Sequence, residues 1–302
     1  MMKVGNKTSV SRKVFYVCNV LFLLIFCATI LFPYLNLLAK SFNDGADTAK
    51  GGIWLWPREF TLENYETVFN NKQFWPAFWL SIARVVINVV VNVFVQFVVA
   101  YVFLNKEFLG RKGFMIYFLI PMYFGGGIIC NYILYSQLGL MNTFWVYILP
   151  GAFSVYNMII IRSYLESIPA SIRESATIDG ANDLTIAFRI MFPLAKPVLA
   201  TVALWTAVGS WNDWTTTMYY VTKPKLYTLQ YLMMRVLKES ETIQSMINDA
   251  ALMGRELNII PAVTPESIQA AQLIITTIPI VLSYPFLQKY FIQGMTLGAV
   301  KD

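Results

Sequence analysis

The side chains best suited to chemistry are charged and aromatic residues that interrupt otherwise apolar runs. Arg84 interrupts one run, and the cluster Trp211-Asn212-Asp213-Trp214 interrupts another. An ionisable residue inside a membrane-spanning run is costly and indicates a functional site, and a carboxylate beside aromatic rings can bind a sugar. These five residues are therefore candidates for a substrate path. Two plainer interpretations stay open: an arginine that snorkels to water, and an aromatic belt at the membrane surface.

Enzymatic chemistry finds little support in the sequence. The chain has no histidine, which excludes His-based triads, His metal sites and imidazole proton relays. Neither H-E-x-x-H nor G-x-S-x-G occurs, and Gly125-Gly126-Gly127 lacks the lysine of a phosphate-binding loop. We place this glycine triplet inside a helix. We predict a chain that is not an enzyme, with no catalytic residue, metal or cofactor of its own, so its energy must come from a gradient or a partner.

The composition is typical of an integral membrane protein. Of 302 residues, 57% are hydrophobic, 16% are aromatic and 13% are charged, which is about half the usual charged share. The mean hydropathy is +0.55. Disordered, collagen-like and disulfide-scaffold classes are excluded, and Cys18, Cys27 and Cys130 lie in apolar runs that favour a packing role.

Six charge-poor runs predict membrane-spanning helices, since a bilayer core of about 30 Å needs about 20 apolar residues. The runs are 14–38, 85–104 with an extension back to 74, 113–135, 143–161, 197–220 and 267–287. The fourth run is the shortest and contains Pro150-Gly151. We predict an all-α integral membrane protein with a six-helix transmembrane domain over residues 14–292.

Positive charge sets the predicted orientation. Residues 1–13 carry basic side chains and no acid, so this segment should stay in the cytoplasm, and six spans place the tail 293–302 there as well. The inner segments then hold 13 Lys and Arg against 6 Asp and Glu, and the outer segments hold 9 against 10. The external loops are 39–73 and 221–266. The net charge of +6 reflects this orientation and does not indicate a nucleic-acid partner.

The longest inner loop, 162–196, has a regular pattern. Apolar or small residues recur at every fourth position from Ile172 to Phe192, which predicts short amphipathic helices that share one apolar stripe. Because the loop follows one predicted span and precedes another, it should lie on the inner membrane face.

Turn and capping residues divide this loop into two helices. Ser171 and Glu174 have the spacing of a capping box, which predicts the start of the first helix. Gly180 can take the left-handed conformation that ends it, before Asn182 or Asp183 caps the second helix. The sequence therefore predicts a helix–turn–helix.

The same loop resembles the EAA loop of permeases in ATP-binding-cassette (ABC) importers. That loop reads E-A-A, three residues, G, nine residues and I-x-L-P, and this chain has Glu174-Ser175-Ala176, Gly180 and Ile190-Met191-Phe192-Pro193 at those spacings. It differs by Ser175 for alanine and Phe192 for leucine. Segments 106–112, 139–143 and 211–214 are similar to maltose-type (MalG-like) carbohydrate-uptake permeases. The ending 284–301 is similar to the LplC-type branch, which is associated with oligosaccharides and uronate-containing sugars.

The resemblance implies a type I ABC importer permease fold in which 162–196 is the cytoplasmic coupling loop. It implies a heterodimer with a second, homologous permease, an ATPase dimer that carries ATP and Mg²⁺, and an extracytoplasmic solute-binding protein, expected to be lipid-anchored. The chain would lie among membrane lipid as a multi-pass protein of the bacterial cytoplasmic membrane. Residues expected at the ATPase contact are Glu174, Ser175, Ala176, Asp179, Gly180, Ile190 and Pro193.

Two segments outside the spans keep a functional and a plain interpretation. In the family a similar tail inserts between the ATPase subunits, which implies contacts by Gly298, Val300, Lys301 and Asp302; the plain interpretation is a frayed end. The external segment 221–266 would contact the binding protein through its polar stretch 238–256. Its apolar residues 226–237, at helical spacing, equally fit packing onto the external mouth.

The expected function is that of a permease subunit which, with a second permease, forms the transmembrane path for an oligosaccharide. One alternative is a secondary, ion-coupled sugar transporter, although Asp213 is the one carboxylate inside a predicted span. The other is a membrane assembly scaffold or an intramembrane enzyme, for which no nucleophile–base pair is present.

Overall fold

A computed structural model describes residues 10–252 and 264–299 of the chain. Within these ranges the regular structure is helical, and one isolated antiparallel bridge joins Asn43 to Phe60. This confirms the predicted all-α class. The α-helices are α1 Val10–Ser41, α2 Gly45–Ala49, α3 Glu63–Asn70, α4 Phe74–Val102, α5 Arg111–Tyr123, α6 Gly127–Gln137, α7 Val155–Ser167, α8 Ala170–Ile178, α9 Asp183–Thr185, α10 Phe192–Leu194, α11 Lys196–Asn212, α12 Thr215–Tyr220, α13 Leu229–Leu252 and α14 Pro265–Ala299.

Three shorter helical turns complete the secondary structure of the described residues. Two are 3₁₀ turns, Phe144–Tyr147 and Pro224–Leu226, and the third is a π-helical turn, Ile186–Met191. The chain divides into two compact units, of which the first comprises 1–70 with 236–275 and the second 71–235 with 276–302.

The first unit consists of a long apolar helix and an ordered loop that follows it. Side chains along α1 from position 11 to position 34 are exposed, including Cys18 and Cys27, so these cysteines are not packing residues within the chain. After α1, the Asn64 amide donates to the carbonyl oxygens of Ser41 (3.0 Å) and Asn43 (2.9 Å). These buried hydrogen bonds attach α3 to the end of α1.

Asn43 organises the rest of this loop. Its side-chain oxygen accepts from the backbone N–H groups of Arg58 (2.7 Å) and Glu59 (2.9 Å). Its amide nitrogen donates to Asp47, and Arg58 pairs with the same carboxylate at 2.9 Å. The hydrogen bond from Asn43, followed by the contacts of Arg58, lowers the pKa of the Asp47 carboxyl below its ordinary value. The loop is thus tied together through one amide and one ion pair.

The second unit is built around α4, which packs against α11 and α7. Its buried core includes Phe97 from α4, Met158 and Ile161 from α7, and Val202 from α11. Met191, from the π-helical turn, is also fully buried in this core. The segment that contains this turn therefore shares a core with three apolar helices, α4, α7 and α11.

The number of membrane spans is not settled by the helix lengths. Among the described residues, α1 and α4 are long and apolar enough to cross a membrane. The number rises to four if each of two bent pairs counts as one span: α5 with α6, bent by 114°, and Asp183–Leu194 with α11, bent by 76°. The predicted sixth span lies within α14, whose helix runs on to Ala299. The count of six spans stays a prediction.

Two predicted spans are wrong as continuous helices. Within 143–161 a 3₁₀ turn is followed by irregular backbone, and α7 begins at Val155 with Ser154 accepting from Asn157 N–H. Pro150 and Gly151 explain this, since proline lacks the N–H that a helix needs and glycine disfavours helix. The run 113–135 breaks between α5 and α6, so Gly125 and Gly126 lie at a bend and Gly127 is the first residue of α6, instead of the whole triplet lying inside a helix.

The predicted fifth span is also interrupted. The helix α11 ends at Asn212, Asp213 has extended backbone, and α12 begins at Thr215. The run 197–220 predicts Asp213 as a charge inside one continuous helix, whereas the structure places it at a break between two helices. This break matters because it frees the Asp213 carbonyl and positions its carboxylate for the contacts described below.

Candidate functional site

Residues 162–196, which were predicted to form the inner loop and which we call the coupling segment, form the predicted helix–turn–helix. After the end of α7, α8 leads to Gly180, whose φ of +81° is a left-handed conformation that favours glycine. The Ala181 N–H then bonds to the Ala176 carbonyl at 3.0 Å, closing the C-terminus of α8. Asn182 caps α9 by accepting from the Thr185 N–H at 2.8 Å. Gly180 and Asn182 therefore have the roles that the sequence indicates.

The predicted capping box is wrong. The helix α8 begins at Ala170, with Pro169 at the capping position and no side-chain cap. Ser171 lies inside the first turn, where it lacks the extended backbone that an N-cap needs. Pro169, at φ −53° and ψ +131°, starts the helix one residue too early for Ser171 to cap it. Glu174 is thereby released from a capping role.

The predicted stripe of residues at every fourth position is split by the turn. Ala176 on α8 is buried, but Leu184 beyond the turn is 71% exposed. The π-helical turn then shifts the spacing and brings Phe188 and Phe192 against Phe97 of α4, with ring centroids 5.9 and 4.9 Å apart. The second half of the segment is therefore anchored to α4 by aromatic packing.

The seven predicted ATPase-contact residues fall into two groups. Ala176 is buried and Ile190 is half-buried, so these two hold the segment onto the unit. The other five are exposed: Glu174, Ser175, Asp179, Gly180 and Pro193. Within the described part of the chain, the Glu174 carboxylate has no hydrogen bond or ion pair. The coupling segment thus presents an outer face on which exposed acidic residues stand beside exposed apolar ones, Ile178 and Leu184, above an apolar base.

A cleft of about 1020 Å³ lies beside this outer face. It is bounded by the C-terminal end of α4, the turn after it, and α8 with α9. Its charged lining residues carry both signs: Lys106, Glu107, Arg173, Glu174 and Asp183. The opposite charges of the lining largely cancel at long range, so the cleft does not attract a partner of one charge sign. Such a lining suits a partner surface that also carries both positive and negative charges.

The structure brings together the two charges that interrupt the predicted spans. The Arg84 guanidinium pairs with the Asp213 carboxylate and donates to the Asp213 carbonyl oxygen at 3.0 Å. It also lies 4.5 Å from the centroid of the Tyr147 ring, a cation–π contact. Arg84 is 3% exposed and does not reach water. The sequence predicts these residues as separate site candidates and does not indicate their ion pair.

Asp213 is surrounded by donors besides Arg84. Its carboxylate accepts from the hydroxyl groups of Thr215 (2.7 Å) and Thr216 (2.5 Å), and from the Thr216 N–H at 3.1 Å. Next to them, the Tyr147 hydroxyl bonds to Thr217 (2.9 Å), also buried. A buried charge is tolerated when its partners satisfy it in this way.

The ion pair belongs to a buried row of polar residues, which we call the polar face of α4: Ser81, Arg84, Asn88, Asn92 and Gln96. These residues recur three or four positions apart, so they share one side of the helix. This repeat of polar residues inside an apolar run is visible in the sequence and is a signal from which the buried face could have been predicted.

The polar face of α4 connects that helix to its neighbours. Asn88 donates to the Ser210 hydroxyl at 2.7 Å, and the Asn92 amide donates to the Gly151 carbonyl at 2.7 Å. Gln96, with its amide oriented by these contacts, exchanges two hydrogen bonds of 2.8 and 2.5 Å with the Ser154 backbone. The irregular backbone before α7 is therefore satisfied by α4 side chains, as membrane-buried backbone must be.

The four residues of the aromatic cluster have different environments. Trp211 is 6% exposed, its indole N–H donates to the Thr276 carbonyl at 3.1 Å, and its ring lies edge-on to Phe78. Asn212 is exposed, and Trp214 and Asp213 are half-buried. In this conformation Trp211 packs within its own unit, and Asn212 is the cluster residue most open to a ligand.

The remaining predicted site residues lie outside these clusters. Gly298 is in α14, near its end, whereas Val300, Lys301 and Asp302 lie outside the described residues. In segment 221–266, which was predicted to be external, Leu229 and Met233 of α13 are buried, which fits the packing interpretation for these two positions. Among the described residues, no group of three or more His, Cys, Asp or Glu side chains could hold a metal ion.

Comparison with known proteins shows similarity along nearly the whole chain. Residues 6–297 match the family described as "Binding-protein-dependent transport system inner membrane component". Protein LplC of Bacillus subtilis (strain 168) is 36% identical over 290 residues, which cover 96% of this chain and 95% of that protein.

Two further similarities concern proteins whose names include a polysaccharide. The polygalacturonan/rhamnogalacturonan transport system permease protein YtcP of Bacillus subtilis (strain 168) is 33% identical over 281 residues, 93% of this chain and 96% of that protein. The crystal structure of a bacterial ABC transporter involved in the import of the acidic polysaccharide alginate contains a similar chain. That chain is 29% identical, with a TM-score of 0.81, and the match covers 94% of this chain and 98% of that one.

Proposed function

The chain belongs to the family of binding-protein-dependent transport system inner membrane components, and from this premise we propose how it takes part in sugar import. It is a permease subunit of an ABC sugar transporter and a transport component, not an enzyme. The predicted resemblance to sugar-uptake permeases, the LplC-type branch included, is confirmed, as is the type I permease fold. Membership of this family excludes the two alternative functions, an ion-coupled sugar transporter and a membrane scaffold.

We propose that this subunit and a second, homologous permease together enclose the transmembrane path, and that two ATPase subunits drive it. The observation that carries the ATPase part is the coupling segment, whose five exposed contact residues stand on a buried base shared with α4 and α7. A rigid base transmits a movement of the docked partner to the helices it belongs to, whereas a mobile loop would absorb it. ATP and Mg²⁺ are then held by the partner.

We propose an oligosaccharide containing uronate residues as the substrate. Support comes from the names of two similar proteins, which concern polygalacturonan/rhamnogalacturonan and alginate. A solute-binding protein, implied by the family description, delivers the sugar from outside. We place the amino terminus and residues 293–302 in the cytoplasm, where the coupling segment must lie to meet the ATPase.

We further propose that the tail 293–302 inserts between the ATPase subunits. Its first part continues α14, so it is joined to the last helix without an intervening loop in the described residues. Deletion of 297–302 should leave the complex assembled and lower sugar-stimulated ATP hydrolysis severalfold. Unchanged hydrolysis and transport in the truncated complex would show that the tail is only a frayed end.

Uptake into proteoliposomes tests the function directly. The complete complex is reconstituted with ATP inside and with binding protein and oligogalacturonide outside. Vanadate, which traps ABC ATPases, should abolish uptake, and a protonophore should leave it unchanged. Neutral maltodextrin of the same length serves as the control for substrate class. Uptake that persists without ATP and collapses with the protonophore would contradict the proposal.

A further inference from the structure

The loop after α1 contains an exposed apolar segment outside the predicted spans. Residues 53–57 read Ile53-Trp54-Leu55-Trp56-Pro57 and contain no charge. Ile53 is buried, but Trp54 is 66% exposed and Trp56 is 84% exposed. Two large indole rings within three residues are thus mostly exposed.

This segment is fixed in place against α1. The Asn36 amide, on the last turns of α1, donates to the carbonyl oxygens of Ile53 (2.7 Å) and Trp54 (2.8 Å). The Trp54 ring lies 6.1 Å from the Phe32 ring of the same helix. At the other end of the segment, Arg58 donates to the Gly51 carbonyl at 2.7 Å. The exposure of the two indoles therefore belongs to an ordered structure.

The position of Asn36 along α1 gives the depth of the segment in a bilayer. No charge lies between Lys13 and Lys40, a run of about 40 Å at 1.5 Å per residue. A hydrocarbon core of about 30 Å, centred on this run, ends about 5 Å before Lys40, which is the level of Asn36. Trp54 is bound at this level, and its ring contacts Phe32 about one turn deeper.

We propose that Trp54 and Trp56 form an interfacial anchor that binds the phospholipid bilayer at the boundary between headgroups and acyl chains. Indole rings prefer this zone because the ring is apolar and its N–H needs a polar acceptor. Neither indole N–H has a hydrogen-bond partner among the residues that the structure describes, and lipid carbonyl groups lie at this depth. The anchor would fix the depth of α1 and of the ordered loop above it.

The surroundings of the segment favour lipid over the solute-binding protein. The exposed indoles are continuous with the side-chain surface of α1, which is exposed along its apolar run. A binding protein approaches from the aqueous side and would reach residues beyond Lys40, whereas Trp54 contacts α1 at Phe32, about 12 Å before it.

Nitroxide accessibility in nanodiscs tests the anchor in the complete importer complex. Cys18, Cys27 and Cys130 are replaced by alanine, and Trp56→Cys carries the spin label. Leu24→Cys, on the exposed face of α1, marks the acyl region, and Glu66→Cys, on α3, marks water. Collisions with oxygen and with a water-soluble nickel chelate are compared for all three sites.

For each site the ratio of the oxygen collision rate to the nickel-chelate collision rate is calculated. The ratio at position 56 should lie between those at Leu24→Cys and Glu66→Cys. A ratio equal to that of Glu66→Cys would place the segment in water and overturn the proposal. Protection from both reagents would show that a protein partner covers it, which also overturns the proposal. Protection that arises only when binding protein is added would assign the segment to that partner instead.

A second measurement needs no cysteine variant. The Trp emission of the native complex is compared with that of Trp54→Phe/Trp56→Phe in bilayers whose lipids carry bromine near the headgroup or near the chain end. The difference between the native emission and that of the double variant is the emission of Trp54 and Trp56. Bromines near the headgroup should quench this emission more strongly than bromines near the chain end. If this emission difference is the same in brominated and unbrominated lipid, the two tryptophans do not contact lipid and the anchor is contradicted. This outcome can be measured even if the labelled variants fail to assemble.

Discussion

Two polar surfaces of the second unit have opposite relations to the rest of the chain. On the coupling segment, Glu174 and Asp179 are exposed and face away from the core. On the polar face of α4, Arg84 is buried and its charge is neutralised by Asp213, 129 positions away in the sequence. A charge that is neutralised inside the chain holds helices together. An exposed charge on a rigid base is available to another subunit.

This comparison predicts that Asp213→Ala has the largest effect. The change leaves the Arg84 guanidinium buried without an anion, which costs about 3–5 kcal/mol. We expect a clearly lower unfolding midpoint of the purified complex, measured by thermal denaturation in detergent. Glu66→Ala, an exposed acid on α3, is the matched control and should leave the midpoint unchanged. The double variant Arg84→Met/Asp213→Ala should recover most of the loss, and a double variant no better than the single one would contradict the account.

Glu174→Lys should affect association and not folding. Like charges at a subunit contact weaken binding by about 1–3 kcal/mol, which is roughly 5- to 150-fold in affinity. We expect the ATPase to be lost on copurification while the permease inserts and melts normally. Glu66→Lys, the same charge change on α3, should retain the ATPase. If Glu174→Lys retains the ATPase normally, the proposal that the ATPase docks on the outer face of the coupling segment is contradicted.

Gly180→Val separates the shape of the coupling segment from its charge. The glycine has φ +81°, and a left-handed conformation costs a residue with a side chain about 1–2 kcal/mol. The position that a Cβ would occupy has no neighbour within 4 Å, so the cost is one of backbone and not of packing. We expect impaired stimulation of ATP hydrolysis by the loaded binding protein. Gly180→Asn, which tolerates this conformation better, should retain more activity, and equal activities of the two variants would argue against a conformational role.

Asn88→Leu should have the smallest effect. The change removes the hydrogen bond to Ser210, worth about 0.6 kcal/mol within a membrane protein. It also removes the Asn88 side-chain oxygen, which is buried without a partner among the described residues and therefore costs energy in the native chain. We expect an unfolding midpoint close to that of the native complex. A loss as large as that of Asp213→Ala would show that all polar contacts of α4 act as one network.

The sequence predicted the parts of the fold that depend on local signals. Charge-free length predicted α1, α4 and the helix of the last span, and Gly180 with Asn182 predicted the turn and cap of the coupling segment, because these signals act within a few residues. The capping box at Ser171 was wrong because Pro169 starts the helix earlier. Hydropathy alone did not predict the bends, since it averages over prolines and glycines that interrupt helices.

The contacts within the candidate site could be predicted only in part. Spacing within a single loop predicted seven contact residues of the coupling segment, and five of them are exposed. The Arg84–Asp213 pair could not be derived, because the two residues lie on different helices and no local pattern relates them. The polar repeat Asn88, Asn92, Gln96 did carry a usable signal: polar residues at every fourth position of an apolar span indicate a buried polar face.

Crosslinking from Ser175 tests directly whether the outer face of the coupling segment contacts the ATPase. Ser175 is exposed beside Glu174, and Ser175→Cys in the variant without native cysteines adds one thiol to the outer face of the coupling segment. A short bismaleimide should join this thiol to a cysteine introduced on the ATPase surface, giving an adduct of one permease and one ATPase chain. A cysteine at Glu66, on α3, should give none. Absence of the Ser175 adduct in a complex that still transports sugar would contradict the assignment of this face to the ATPase.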